Sequence, residues 1–255
     1  MKQIENIPYV TRKSETLCLD LYLPDAVTFP LFVFMHGGGL EAGNKTIAKE
    51  RIVPYLTQNG IAVASLAYRM YPNAKYPDFI EDAAEGVSWL SHHINDYGHC
   101  EKMFVGGSSA GGYLSMMLCF DDRWLKAKEP FPIPISGYFH NAGQPTAHFN
   151  VLRERGIDSK RVIVDESAPL FHVGKAESYP PMHFTVSTND MPGRLEQTML
   201  MLATLRDFGY DQTKIALTVI EGKHCEQDKR RDADGVTELA RLVCDFIQKW
   251  QHAEA

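Results

Sequence analysis

The sequence lacks the features that mark secreted, membrane-bound or nucleic-acid-binding proteins. Its first residues contain no apolar run like that of a secretory signal, and no later segment reaches the length of a membrane span. The net charge is −6 and no long block of like charge occurs, which argues against a nucleic-acid or anionic-membrane partner. We therefore expect a cytoplasmic protein with no membrane span and no nucleic-acid partner.

Cysteine is scarce as well, and its five residues are scattered without close pairs: Cys18, Cys100, Cys119, Cys225 and Cys244. An odd number without metal-site spacing predicts reduced thiols, neither a disulfide framework nor a zinc site. Internal repeats and low-complexity segments are also missing. The 255 residues are therefore predicted to form a single domain.

What the sequence does contain is an alternation of strand and helix patterns. Strands are predicted at 16–23, 30–35, 61–68, 103–105, 130–138, 182–187 and 214–220, and helices at 47–59, 78–94, 113–118, 194–208 and 236–250. Such alternation predicts a mainly parallel sheet with helices on both faces and a site beyond the carboxyl ends of its strands. The pattern is lost over residues 140–178, apart from a short helix at 149–155, and we expect this segment to form a small cap.

The stretch from Gly107 to Gly111 joins a strand to a helix and reads Gly-Ser-Ser-Ala-Gly. It fits Gly-x-Ser-x-Gly, the pattern of a nucleophile elbow, which makes Ser109 the predicted nucleophile. Glycine suits both ends because so tight a turn brings its backbone against neighbouring elements. A phosphate-binding loop would need a lysine where Tyr113 stands, and a dinucleotide fingerprint belongs to the first strand–helix unit of a domain.

A serine nucleophile needs a histidine base and a carboxylate that orients the base, in the chain order Ser, Asp or Glu, His. His224 follows the last predicted strand and is the predicted base. Asp190 follows the preceding strand and is the predicted acid. The alternatives are His140, His148 and His172 in the predicted cap, His183 in a strand, His252 in the tail, and Asp165, Asp207 and Asp211 as acids.

Negative charge that develops on a carbonyl oxygen can be stabilised by backbone amides. One amide is expected from Ala110, directly after the nucleophile. The others are expected from Gly37 and Gly38, in the glycine cluster that follows the buried strand at 30–35. These three residues are the predicted oxyanion hole, and His36 is expected to position their loop.

Taken together, the chain resembles α/β-hydrolases of the esterase and lipase superfamily, in particular hormone-sensitive-lipase-like and feruloyl or acetyl-xylan-esterase-like carboxylesterases. The resemblance rests on Leu19-Asp20-Leu21-Tyr22-Leu23-Pro24, His36-Gly37-Gly38-Gly39, Gly43-Asn44-Lys45, Tyr68-Arg69 with Pro77 and Asp82, Trp89, the elbow, Asp190 and His224. It implies an eight-stranded α/β-hydrolase fold and ester hydrolysis through an acyl-enzyme on Ser109, Asp190 and His224, without metal or cofactor. Two departures from the pattern, Leu40 after the glycines and a short N-terminus, affect what can be expected of the acyl pocket. The short N-terminus and the small cap suggest an open site for short-chain or small aryl acyl groups, including those on sugars.

Two other functions stay open at this point. Kynurenine-formamidase-like amidases share the architecture and the histidine-glycine loop, so amide cleavage is the nearest alternative. Some proteins of this fold are binding modules without turnover, although these have lost the base that His224 would supply here. The sequence leaves the oligomeric state open, with a homodimer as one option, and predicts a small-molecule ester as the partner.

Overall fold

The computed structural model describes residues 1–13 and 15–252, within which eight strands form one sheet. The strands are β1 (Lys2–Arg12), β2 (Glu15–Leu23), β3 (Thr28–Met35), β4 (Ala62–Leu66), β5 (His99–Ser108), β6 (Ile135–Asn141), β7 (Met182–Asn189) and β8 (Ile215–Lys223). Their order is β1-β2-β4-β3-β5-β6-β7-β8. The pairs β1–β2 and β2–β4 are antiparallel and the others are parallel, so the predicted mainly parallel sheet is confirmed.

Helices cover both faces of the sheet. They are α1 (Ile47–Arg51), α2 (Val53–Gln58), α3 (Asp78–His93), α4 (Ala110–Phe120), α5 (Arg123–Lys126), α6 (Phe149–Glu154), α7 (Pro169–His172), α8 (Arg194–Asp207) and α9 (Glu238–Trp250), with single 3₁₀ turns at Ile94–Asp96, Gln212–Lys214 and Glu226–Asp228. Helices α3, α4 and α8 contribute to one hydrophobic core, whereas α1, α2 and α9 contribute to the other.

The central strand β3 shows why its sequence is apolar throughout. Leu31, Val33 and Met35 belong to the first core, while Phe32 and Phe34 belong to the second. Because successive side chains of a strand point to opposite faces, a strand covered by helices on both sides needs apolar residues at every position. This arrangement holds the loop after Met35 at the centre of the sheet's carboxyl edge.

Two predicted elements have different bounds in the structure because prolines interrupt them. The predicted helix at 47–59 is divided into α1 and α2, which meet at Ile52. Pro54 stands in the first turn of α2, where a missing amide is tolerated but continuation from the preceding helix is not. The strand predicted at 130–138 begins only at Ile135, because Pro130, Pro132 and Pro134 cannot donate to a neighbouring strand.

The first strand, β1, was not predicted from the sequence at all. It lies at the edge of the sheet, and its register against β2 shifts twice. These irregularities interrupt the alternation of buried and exposed residues, so the sequence carries no regular period for a strand here.

The segment 140–178 is irregular apart from the end of β6 and the short helices α6 and α7. Its three histidines do not line the cleft described below. His140 lies inside β6 rather than in the segment that follows, and His140, His148 and His172 are all buried. None of these three alternatives to His224 as the base is therefore placed at the cleft. Whether the segment acts as a cap stays a prediction.

Among the described helices, none combines the length and apolar character needed to cross a bilayer. The cytoplasmic location stays a prediction.

Candidate active site

Ser109 stands on the sharp turn between β5 and α4. Its φ of 56° and ψ of −110° are unusual for a residue with a side chain, and its amide donates to the carbonyl of Asn141 at 2.8 Å. A side chain at Gly107 or Gly111 would collide with the carbonyl group of Met35 on the neighbouring strand. The two glycines therefore let the turn approach β3 closely, and the strained serine is held in place by its neighbours.

Asp190 and His224 directly follow the ends of the neighbouring strands β7 and β8, as the chain order predicts. His224 Nε2 lies 2.9 Å from Ser109 Oγ, and His224 Nδ1 lies 2.5 Å from Asp190 Oδ1. The structure thus brings the predicted nucleophile, base and acid into one hydrogen-bonded line. Their spacing suits transfer of the serine proton to the imidazole, with the carboxylate fixing the tautomer.

The Asp190 carboxylate is held in its charged form. Its side chain is only 1% exposed, and burial alone would raise its pKa. The hydrogen bond from His224, the charge of that ring and the amides of Met191 and Ser187 outweigh burial and lower the pKa below its ordinary value. Asp190 is therefore an anion at neutral pH, suited to stabilising a protonated histidine.

The predicted oxyanion loop is shaped by glycines. Gly38 has a φ of +124° and Gly43 a φ of +94°, and an added Cβ at Gly38 would collide with the carbonyl of Ala42. An added Cβ at Gly37 would lie 3.2 Å from Ser109 Cβ, so this part of the loop passes directly beside the nucleophile. Ala110, the third predicted residue, is the first residue of α4.

The buried side chain of His36 packs against this loop. It is 1% exposed, stacks on Tyr68 and lies with Nδ1 2.7 Å from the carbonyl oxygen of Gly37. Burial lowers its pKa to about 4, so the ring is neutral at physiological pH and its Nδ1–H can donate to that carbonyl. The expectation that His36 positions the loop agrees with these contacts.

A buried ion pair anchors the far side of the same loop. Lys45 Nζ lies 2.6 Å from Asp20 Oδ1, and the same oxygen accepts from the amide of Asn6 at 2.9 Å. Asp20 is 1% exposed, so breaking the pair would leave a buried carboxylate without its cation. This contact gives a structural reason for the Leu-Asp-Leu-Tyr and Gly-Asn-Lys motifs.

The Tyr-Arg motif has a similar structural role. The guanidinium of Arg69 forms two hydrogen bonds to Asp82, at 2.7 Å from Nε and 2.9 Å from Nη2. Asp82 is fully buried on α3, so this bidentate pair ties the chain that follows β4 to that helix.

A buried polar network beneath the nucleophile could not be predicted from the sequence. Asn141 Nδ2 donates to Ser108 Oγ at 2.8 Å and to Asp228 Oδ1 at 2.7 Å, and Asp228 pairs with Arg51 at 2.8 Å. Burial raises the pKa of Asp228, which the Arg51 cation partly offsets. Ser108 lies within the elbow motif, but Asn141, Asp228 and Arg51 belong to no recognisable motif, so no local pattern indicates that these side chains meet.

The nucleophile and base face an open cleft of about 450 Å³, while Asp190 lies buried behind His224. Gly37, Gly38, Ser109 and His224 line it, and Phe149 from the irregular segment forms part of its wall. The Cys225 thiol lies 3.6 Å from His224 Nε2. Burial raises its pKa well above the ordinary value, so the thiol stays protonated and is no rival to Ser109 as nucleophile.

Metal ligands are not assembled here. In the described part of the chain, no three histidine, cysteine, aspartate or glutamate residues are grouped so that they could hold a metal ion.

Comparison with models of known protein families places the chain in one of them. Residues 19–151, just over half of its length, match the BD-FAE family model. The chain belongs to the BD-FAE family. The matched region contains the glycine loop and the Ser109 elbow but ends before Asp190 and His224. The BD-FAE assignment therefore rests on the part of the chain that carries the nucleophile and the predicted oxyanion hole.

Curated relatives of this BD-FAE protein include esterases. Over 110 residues it is 32% identical to an acetyl esterase of Salmonella schwarzengrund, a match that covers 42% of this chain and 33% of that protein. Over 100 residues it is 33% identical to a probable isoprenylcysteine alpha-carbonyl methylesterase of Arabidopsis thaliana, which covers 38% of this chain and 21% of that protein. The matches span a third or less of the length of these relatives.

Solved structures share the whole architecture. Apo Thermogutta terrifontis esterase 2 aligns with a TM-score of 0.76 at 19% identity, covering 97% of this chain and 95% of that one. A truncated carbohydrate esterase from gut microbiota aligns with a TM-score of 0.80 at 17% identity, covering 99% and 97%. The predicted α/β-hydrolase fold is confirmed.

Proposed function

We propose that this protein is a serine carboxylesterase that hydrolyses small esters through an acyl-enzyme. The observation that carries the proposal is the line Ser109–His224–Asp190, with heavy-atom distances of 2.9 and 2.5 Å, in an open cleft. The esterase names of its relatives support the same reaction class.

In the proposed cycle Ser109 Oγ attacks the ester carbonyl carbon while His224 Nε2 takes the hydroxyl proton. Collapse of the tetrahedral intermediate breaks the bond to the alcohol oxygen, and the same imidazole returns the proton to that oxygen. Water then attacks the acyl-enzyme with His224 again as base, which releases the acid and restores Ser109. Asp190 remains an anion throughout and stabilises the transient imidazolium.

The amides of Gly37, Gly38 and Ala110 are proposed to stabilise the oxyanion. The backbone of Gly37 passes directly beside Ser109, which supports this role for its amide. Ala110 is the first residue of the 11-residue helix α4, so its amide lies at the N-terminus of that helix. The positive end of that helix favours negative charge at this point. One such donor contributes about 3 kcal/mol to the transition state.

Short-chain or small aryl acyl groups are the proposed substrates. Ile47, Phe149 and Met191 provide apolar contact at the cleft, but the glycine loop leaves its wall low and open. A long acyl chain would find little apolar surface to bury there, and burial of each methylene is worth about 0.8 kcal/mol.

The test compares p-nitrophenyl acetate, butyrate and octanoate with a matched formanilide, using wild type and Ser109→Ala. The proposal predicts that wild type alone cleaves the esters, acetate and butyrate faster than octanoate. Faster cleavage of the formanilide than of the esters would move the assignment to an amidase. Unchanged turnover in Ser109→Ala, with thermal unfolding like wild type, would contradict Ser109 as nucleophile.

A further inference from the structure

A second cavity opens beside the cleft. It measures about 430 Å³ and shares Phe149 and Met191 with the cleft that contains Ser109. Part of a molecule bound at Ser109 could therefore extend past these two side chains into it. The cavity is formed between the irregular segment and the first turn of α8.

The innermost charged residue of this cavity is Arg194, which is only 3% exposed. Its guanidinium donates to neutral acceptors, the carbonyl of Ala142 through Nη1 and the Gln144 amide oxygen at 3.3 Å through Nη2. Within the described residues it forms no ion pair. Burial without a paired carboxylate lowers the pKa of Arg194, although Asp190 offsets part of this effect. A buried cation that contacts only neutral protein atoms is costly unless a bound anion completes its coordination.

Further positive charge surrounds the mouth of the cavity. Arg153, Lys160 and Arg161 also line it, and no aspartate or glutamate does so among the described residues. Arg153 is paired with Glu41 at 3.2 Å, whereas Lys160 and Arg161 are exposed and form no ion pair in the described part of the chain. In a protein with a net charge of −6, this concentration of cations is a local feature.

We propose that this cavity is a subsite for a carboxylate carried by the ester substrate at a distance from the scissile bond. The inference rests on the proposed esterase function and narrows its substrate class to acidic esters. Arg194 would bind the carboxylate at the inner end, because a guanidinium presents a planar pair of donors that match its two oxygens. Lys160 and Arg161 would attract the anion from solvent, and the carboxylate itself would undergo no reaction.

Matched substrate pairs test the proposal. Phenyl hydrogen adipate and phenyl methyl adipate differ only by a charge on the acyl side. The acetate ester of p-(hydroxymethyl)benzoate and its methyl ester differ by a charge on the alcohol side. For at least one pair, wild type should prefer the acidic member by about 10-fold or more in kcat/KM, as expected for a charge-assisted hydrogen bond.

Variants locate the effect. Arg161→Gln should lower this preference by about 2- to 5-fold, and Arg194→Gln should abolish it. Arg206→Gln is the matched control, since it removes the same charge from the exposed last turn of α8, outside the cavity. It should leave the preference as in wild type. Because Arg194→Gln could fail to fold, the preference for the acidic ester is also measured in Arg194→Lys and in Arg161→Gln.

A readout without turnover separates this inference from the proposed function. Ser109→Ala should bind each preferred acidic ester about 10-fold more tightly than its methyl ester by calorimetry, and salt should weaken that difference. Turnover of neutral esters with no preference for any acidic one, and no difference in binding, would overturn the subsite and leave the esterase proposal standing. Tight binding of the acidic ester without wild-type turnover would support the subsite and count against the esterase proposal.

Discussion

Two regions of the chain contribute to the cleft by different physical means. The first is residues 19–151, which match the family model, and the second is the part of the chain that follows. The first region places the Ser109 elbow and the loop around Gly38 by close backbone approach, so glycine is required where a Cβ would collide. The second places Asp190 and His224 directly after β7 and β8, where the site depends on the polar atoms of the two side chains rather than on close backbone packing. Activity should therefore be lost when a methyl group is added to a glycine of the first region, and when a polar atom is removed from the second.

The largest effect is expected in the second region. His224→Ala should reduce kcat on p-nitrophenyl acetate by about 10⁵-fold and Asp190→Asn by about 10⁴-fold, because the first removes the base and the second only its orientation. Steady-state kinetics measure both. Thermal unfolding should show that the variants stay folded, since neither change opens a large cavity. Equal losses below about 10-fold would exclude the proposed roles.

A smaller loss is expected when a methyl group is added to the first region. Gly38→Ala should lower kcat by about 10²-fold, because the new Cβ collides with the carbonyl of Ala42 and displaces the predicted oxyanion amides. Gly60→Ala is the matched control: its φ of +77° is also unfavourable for alanine, but no neighbouring atom lies within 4 Å of the added Cβ. It should lose about 1 kcal/mol of stability and keep its activity. Similar kinetics for the two variants would contradict this explanation.

The two regions are predictable from the sequence to different degrees. The elbow and the glycine loop could be predicted because backbone crowding imposes glycine at fixed spacing. Asp190 and His224 could be predicted only from chain order, which names one residue after each strand. Asn141, Asp228 and Arg194 could not be predicted, because their partners lie far away in the chain and no local pattern links them. The irregular β1 was missed for a related reason, since its bulges disrupt the alternation that marks a strand.

The contact between the two regions offers a third prediction. Arg51→Gln removes the cation beside Asp228, whose side chain is 1% exposed. The variant should lose about 2 kcal/mol of unfolding free energy at pH 7. Because burial already raises the pKa of Asp228, removal of Arg51 raises it further, and protonation relieves the loss as the pH falls toward 5. Urea unfolding at both pH values measures this change.

The control for that prediction is Asp228→Asn, which carries no buried charge. Adding Arg51→Gln to this variant should cost less than 1 kcal/mol at either pH. A loss as large as in wild type, or one independent of pH, would show that Arg51 does not act through the Asp228 charge.

The smallest expected effect is the contribution of a single buried histidine to the pH dependence of stability. Burial lowers the pKa of His36 to about 4, of His140 to about 3 and of His183 to about 4. Below about pH 6.5 the unfolded chain takes up protons that these folded side chains do not. Their contribution is therefore complete above pH 6.5 and declines as the pH falls toward the folded values, by about 1 kcal/mol per pH unit for each histidine.

Urea unfolding between pH 7.5 and 5 tests this slope, with His183→Gln as the variant because His183 is the least buried of the three. The variant should show a shallower dependence than wild type. Parallel curves would mean that His183 is not protected from protonation in the folded state.

The most direct test of the central claim is covalent labelling with a fluorophosphonate, followed by mass spectrometry of the peptide that contains both Ser108 and Ser109. Wild type should give one adduct on this peptide, Ser109→Ala none and His224→Ala little, because the imidazole activates the hydroxyl. Ser108→Ala is the neighbouring control and should still be labelled, since Ser108 Oγ is buried in the network with Asn141. Labelling that persists in Ser109→Ala, or is lost only in Ser108→Ala, would contradict the assignment of Ser109 as the nucleophile.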